Sequence, residues 1–170
     1  QSATYYTLKV GKTPICSNDT YVLEAATVVS ETLTVNSCGT LTTTGSNFAL
    51  TTGKIVISGT FQANASVVTL TGITSTLFTR TGTFTQGTSD VQVTSASGTP
   101  TLLSGTATFH ILTINSTATI INAGAAITTD NVAGNKLYVQ SGVFNLEGQT
   151  ITPGTSGTLQ VDSGGTFCLG

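Results

Sequence analysis

The sequence has no methionine and no tryptophan, only three prolines and three cysteines, and only 7% charged residues. Each shortage excludes something. The five cations, Lys9, Lys12, Lys54, Arg80 and Lys136, are scattered along 170 residues. They form no basic stripe for phosphate, so nucleic acid is not an expected partner. No apolar run reaches the roughly 18 residues needed to cross a bilayer, so no membrane span is expected. One histidine and no Cys-x-x-Cys cannot complete a zinc site. The Gly-Gly-x-Gly-x-Asp run that binds calcium in some repeat proteins is also missing. Neither a metal nor a cofactor is therefore expected. No window shows helical i, i+3, i+4 spacing with caps, and only Tyr21 to Val29 is ambiguous. Aromatics are 6%, too few for a thick globular core.

What the chain does have is threonine, 38 of 170 residues, together with 19 glycines. Threonine is β-branched and favours strands over helices. The last third carries one pattern twice, LYVQSGVFNLEG from Leu137 and LQVDSGGTFCLG from Leu159, and LTVNSCGTLTTTG from Leu33 reads as an earlier copy. An anchor of Gly, a small residue and an apolar residue recurs at Gly39, Gly59, Gly82, Gly142 and Gly165, more weakly at Gly105 and Gly124. The spacing of roughly 18 to 23 residues lies in the range of solenoid coils. Short alternating runs flank each anchor, such as KIVIS before Gly59 and TFQAN after it. Alternation buries one side of a strand, and glycine lets the backbone turn where a Cβ would clash. The expected fold is all-β: a parallel β-solenoid of about six to seven coils with an N-terminal extension. Residues 1–29 are assigned to a cap or a donor arm, and 30–170 to the repeat domain. Unequal anchor spacing keeps open a β-sandwich or jelly roll with a donated N-terminal strand.

The runs ISGTFQANASVVTLTG from Ile57, TGTFTQGTSDVQVTSASGTP from Thr81 and GTATFHILTIN from Gly105 resemble the Gly/Thr-rich β-strand repeats of prokaryotic surface and filament proteins. In Phe109 to Ile114, Ile111 stands where those repeats usually carry Asn. The resemblance covers roughly residues 30 to 170. It implies a parallel β-solenoid serving as a stalk, adhesin or filament component, and it brings no catalytic residues with it.

The chain starts at Gln1 and not at Met, which reads as a secreted chain after signal removal. It stops at TFCLG, directly after its last anchor, so an open coil edge is expected there. An edge that fits the first coil of another copy gives a head-to-tail contact, which propagates as a fibre. The expected function is a structural subunit of an extracellular filament whose partner is itself, with glycans as further partners. A cell-surface adhesin stalk and an ice- or carbohydrate-binding solenoid are the alternatives. An ice binder needs threonine in the same outward column of every coil, and the column read as outward here (Thr34, Tyr138, Gln140, Gln160) is mixed.

Cys16, Cys38 and Cys168 are an odd number. Cys16–Cys38 pairing within the chain and a bridge from Cys168 to the next subunit both stay open. Asn18, Asn64 and Asn115 begin Asn-x-Ser/Thr sequons and are the candidate glycosylation sites. His110 lies on an alternating strand and reads as structural. A glycosidase needs two carboxyls within about 5 to 10 Å, and Asp162 aligns with Gln140 and Asn36, so an enzyme is not expected.

Overall fold

Alternating Thr and branched apolar residues should give short strands, and eighteen form among the described residues. The computed structural model describes residues 2–12, 19–43, 45–73, 75–117 and 120–170. Its strands wind into coils. The first coil holds β1 (Ala3–Val10) and β2 (Asp19–Val22), the second β3 (Thr27–Val35) and β4 (Gly39–Thr42), and the third β5 (Leu50–Ile57) and β6 (Thr60–Gln62). Three coils with split strands follow: β7 (Val67–Leu70), β8 (Thr76–Arg80) and β9 (Thr83–Thr85); β10 (Asp90–Val93), β11 (Thr101–Ser104) and β12 (Ala107–Phe109); β13 (Ile111–Asn115), β14 (Ile121–Asn122) and β15 (Ile127–Thr129). The last are β16 (Lys136–Asn145) with β17 (Ile151–Thr152), and β18 (Thr158–Cys168).

Every strand pair among the described residues is parallel. A jelly roll is antiparallel, so the fold is a parallel β-solenoid of about seven turns. It has three faces. β7, β10, β13 and the first halves of the long strands make the first face; β8, β11, β14 and their second halves make the second. The short strands make the third face, as two separate sheets, β2-β4-β6-β9 and β12-β15-β17. Residues 1–29, assigned above to a cap or donor arm, contribute β1 and β2, which stack in register on β3 and β4 as a first coil.

Inward residues form columns. Ala3, Thr27, Leu50, Val68, Val91, Leu112, Leu137 and Leu159 are stacked partners on the first face, and beside them run Tyr5, Val29, Thr52, Leu70, Val93, Ile114, Val139 and Val161. Part of the core is an aromatic cluster. Phe84 stacks on Phe61 with ring centroids 5.7 Å apart, and Phe78 meets Phe84 edge-on at 5.0 Å and Phe109 at 5.7 Å.

The repeat read from the sequence needs a correction at its corners. Gly39, Gly59 and Gly82 precede the paired residues Thr40, Thr60 and Thr83, so they stack where the second face turns into the third. Gly142 and Gly165 also pair, but between the first and second faces. The copy at Leu33 is therefore out of phase with the copies at Leu137 and Leu159: Leu33 sits on the second face, the other two on the first. The same short sentence serves two different corners because each needs only a bend followed by a half-buried strand.

A Cβ on Gly59 would stand 2.1 Å from the Asn36 carbonyl oxygen and 2.3 Å from that of Gly39, both main-chain atoms. Gly59→Ala should therefore force adjacent coils apart and cost about 2–4 kcal/mol in denaturant unfolding. Gly164→Ala, whose Cβ would first meet an oxygen at 3.3 Å, should stay within about 1 kcal/mol of wild type.

Candidate functional site: the end coils and the third face

A column residue in a middle coil is covered above and below; one in an end coil is covered on one side only. Leu112, Leu137, Ile114 and Val139 are buried, whereas Leu159 is 50% and Val161 44% exposed. At the other end Val29 is buried and Tyr5, one coil further out, is 43% exposed. β1 and β18 each pair along one edge only among the described residues. Beside β18 lies an apolar cavity of about 370 Å³ lined by Leu137, Ile151, Pro153, Leu159, Phe167 and Leu169, among others. A groove of about 330 Å³ at the opposite end is lined by Ala3, Tyr5, Leu8, Val22, Leu23 and neighbours.

The third face carries a different regularity. Thr20, Thr40, Thr60 and Thr83 are stacked partners pointing outward, because Tyr21, Leu41, Phe61 and Phe84 alternate with them toward the core. In the next outward column Gln62 and Thr85 stack, and Thr42, below Gln62, is buried under the Asn64 side chain. In the other sheet Thr108, Thr128 and Thr152 stack. The mixed column considered above belongs to the other faces. Choosing the right column required knowing which strand faces which way, and linear spacing does not carry that information.

The sequence-selected residues are dispersed. Cys38 is half-buried and disulfide-bonded, and Cys168, half-buried on β18, is free. Cys16 and Asn18 lie outside the described residues. The Asn64 side-chain nitrogen donates to Thr42 Oγ1 and Thr43 Oγ1, each at 3.2 Å, and to the Gln62 carbonyl at 3.1 Å. A glycan on that nitrogen would displace these bonds. Asn115 is exposed, and its Oδ1 accepts from the Ser141 hydroxyl at 2.8 Å.

His110 is buried, with Nδ1 3.1 Å from Asp130 Oδ1. Asp130 also accepts from the Val132 amide at 3.0 Å and from Gln86 Nε2 at 3.3 Å. Gln86 and Asp130 belong to coils on either side of His110, so the network staples three coils at one corner. No group of three or more His, Cys, Asp or Glu among the described residues is placed to hold a metal. No helix among them is long and apolar enough to cross a membrane.

Comparison with known proteins returned nothing: no protein-family model, no curated protein and no solved structure matches the chain. Of the expected resemblance, the β-solenoid arrangement is what the structure shows.

On the outward side of the last two coils, the Tyr138 hydroxyl donates to Asp162 Oδ2 at 2.5 Å and Gln160 Nε2 donates to Oδ1 at 3.0 Å. The Tyr138 bond, then that of Gln160, holds the Asp162 carboxyl below its ordinary range, and the hydrogen bond to Asp162 holds Tyr138 above its own. A lowered carboxyl pKa means the contact is complete above the ordinary carboxylate value and is lost as pH falls through the lowered one. A raised phenol pKa means it is complete below the ordinary phenol value and is lost as pH rises through the raised one. The contact should therefore persist across the neutral range. Carbon-detected NMR titration should give Asp162 a midpoint below that of a free aspartate, and Tyr138→Phe should move it upward. An unmoved midpoint would exclude the tyrosine as the cause.

Proposed function

We propose that the protein is a structural subunit of an extracellular filament, built by stacking the last coil of one copy on the first coil of the next. The observation that carries this is the continuity of the inward columns: Leu159 and Val161 at one end, Ala3 and Tyr5 at the other, extend columns that are buried everywhere between. A second copy in parallel register supplies the missing layer. Covering a half-exposed Leu, Val or Tyr contributes about 1 kcal/mol each. Each new main-chain hydrogen bond adds about 1 kcal/mol. Association costs about 4–15 kcal/mol. The terms are comparable, so assembly should depend on concentration. The contact joins unlike surfaces, and such contacts form open chains. A disulfide at Cys38 fits an oxidising compartment, and a chain with only 7% charged residues tolerates burial of its surface in a polymer or under glycans.

Electron microscopy of the purified chain should show fibres of constant width. Eight stacked layers at about 4.8 Å give an axial rise of about 38 Å per subunit. Val161→Lys should preserve the β-rich circular dichroism and abolish the fibres. A monodisperse monomer at every concentration would sink the proposal.

A second reading rests on the third face. Outward Thr20, Thr40, Thr60 and Thr83 repeat there about 4.8 Å apart along the axis, and Thr85 stands about 6.7 Å across from Thr83, the spacing of alternate residues on a strand. A regular row of hydroxyls and methyls suits a surface with its own repeating hydroxyls, crystalline polysaccharide or ice, as on an adhesin. Thr60→Lys with Thr83→Lys should abolish co-sedimentation with insoluble polysaccharide, or thermal hysteresis if ice is the ligand, without changing fibre formation. Wild-type protein negative in both assays would remove this reading.

A further inference from the structure

The third face is interrupted in one place. β9 and β12, which follow one another in successive coils, do not pair, and the face splits there into two sheets. Arg80 stands at the break. It ends β8 in the column of Val10, Val35 and Ile57, all buried. An arginine thus occupies a position that three preceding coils give to an aliphatic side chain.

Its guanidinium is tied to both sides of the gap. Nη1 donates to the Gly82 carbonyl at 3.2 Å and Nη2 to Thr106 Oγ1 at 3.1 Å. Nε is buried and has no partner among the described residues. Of the five donors on a guanidinium, two are used. No carboxylate among the described residues pairs with it; the ion pair present is His110–Asp130. Gln86, which lines the same cleft, donates to Asp130, whose oxygens are engaged by His110, Val132 and Gln86. A half-buried cation without a counter-charge carries a desolvation cost that an arriving anion would offset.

The guanidinium opens into a cleft of about 210 Å³. Phe84 lines it, with the hydroxyls of Thr106, Thr108 and Thr128 and the amide of Gln86 around it. That volume is below the roughly 300–1,000 Å³ of pockets for drug-sized ligands, so it suits one ring and not an extended molecule. Arginine recognises planar carboxylates, and hydroxyl and amide groups that both donate and accept match the hydroxyls of a sugar.

We propose that this cleft binds the carboxylate of an acidic sugar residue, a uronate within a polysaccharide lying across the third face. The proposal rests on the carbohydrate reading of that face and names its anchor; it is independent of end-to-end assembly.

The probe is a glucuronate oligosaccharide, titrated into the full-length protein and followed by amide NMR shifts and calorimetry. Binding should shift the amides of Thr106, Thr108 and Thr128. Arg80→Gln should weaken it roughly 10- to 100-fold, the range for losing a hydrogen bond to a charged group. Thr108→Val, which keeps the shape of the site, should weaken it several-fold and guards against Arg80→Gln failing to fold. The neutral glucose oligosaccharide should bind at least about tenfold more weakly than the uronate. Equal affinity for the two, or uronate binding unchanged in Arg80→Gln, would overturn the proposal while leaving a general polysaccharide-binding face intact. Acetate binding as tightly as the uronate would overturn the sugar assignment. No shift at these amides with either oligosaccharide, in protein that still co-sediments with insoluble polysaccharide, would place recognition on the threonine columns instead.

Discussion

Parallel strands lie about 4.8 Å apart in a ladder, and this separation governs everything else in the molecule. Where strands run straight, it leaves room for side chains to stand beside one another. Where the chain bends, main chain meets main chain, and two solutions appear. One is to have no side chain: Gly59 sits against two carbonyl oxygens of the coil below. The other is a side chain short enough to use the neighbouring carbonyl. At the corner between the first and second faces the Ser95 hydroxyl donates to the Gly72 carbonyl at 2.5 Å, and the Ser116 hydroxyl donates to the Ser95 carbonyl at 2.6 Å. The abundance of small residues is thus a consequence of stacking and not of flexibility.

The same separation makes each inward residue share its surroundings with the residues above and below, so the core is a set of columns and not a single centre. Apolar columns need no further explanation. The corner between the third and first faces is different: Ser66, Ser89, His110 and Asn135 are stacked there, one per coil, and all are buried. Ser66 Oγ, Ser89 Oγ and Asn135 Oδ1 have no hydrogen-bond partner among the described residues. Each such group costs about 1–3 kcal/mol, which the continuous ladders on either side must outweigh. The His110–Asp130 pair and the reach of Gln86 across it tie this weak corner together.

How far the sequence could be read follows from these two facts. Alternation and recurring Gly-Thr-apolar anchors are local, and they pointed to a parallel solenoid. Register is not local. Leu50 pairs with Val68, eighteen residues on, whereas Leu112 pairs with Leu137, twenty-five residues on. The difference lies in the corner loops, whose lengths follow no period. Linear spacing therefore could not say that Gly39 and Gly142 turn different corners, that threonine stacks through three or four successive coils on the third face, or that Arg80 stands in an inward column. The last had one visible signal: RTGTF from Arg80 places a cation where ISGTF from Ile57 places isoleucine. The polar column had none, since Ser66, Ser89, His110 and Asn135 share no residue type.

Register also decides whether two ends of such a molecule can recognise one another. A slip of one residue along a strand turns every apolar side chain to the wrong face. Strands of eight and eleven residues, β1 and β18, therefore have few acceptable alignments. The pairing of β1 with β3 shifts register between Tyr5 and Thr7, and that of β16 with β18 shifts just after Val139. In both places the irregularity marks the bend from the first face to the second. A bend is a fixed point along an otherwise repetitive edge, because a partner strand must bend at the same place to keep its hydrogen bonds. Natural proteins blunt exposed edges with charge, proline or short strands. β18 carries one acid, Asp162, and neither lysine nor proline, and Asp162 is held by Tyr138 and Gln160 of its own chain. A strand that is long and bent at a defined point therefore leaves one register in which a further parallel strand could pair with it along its whole length.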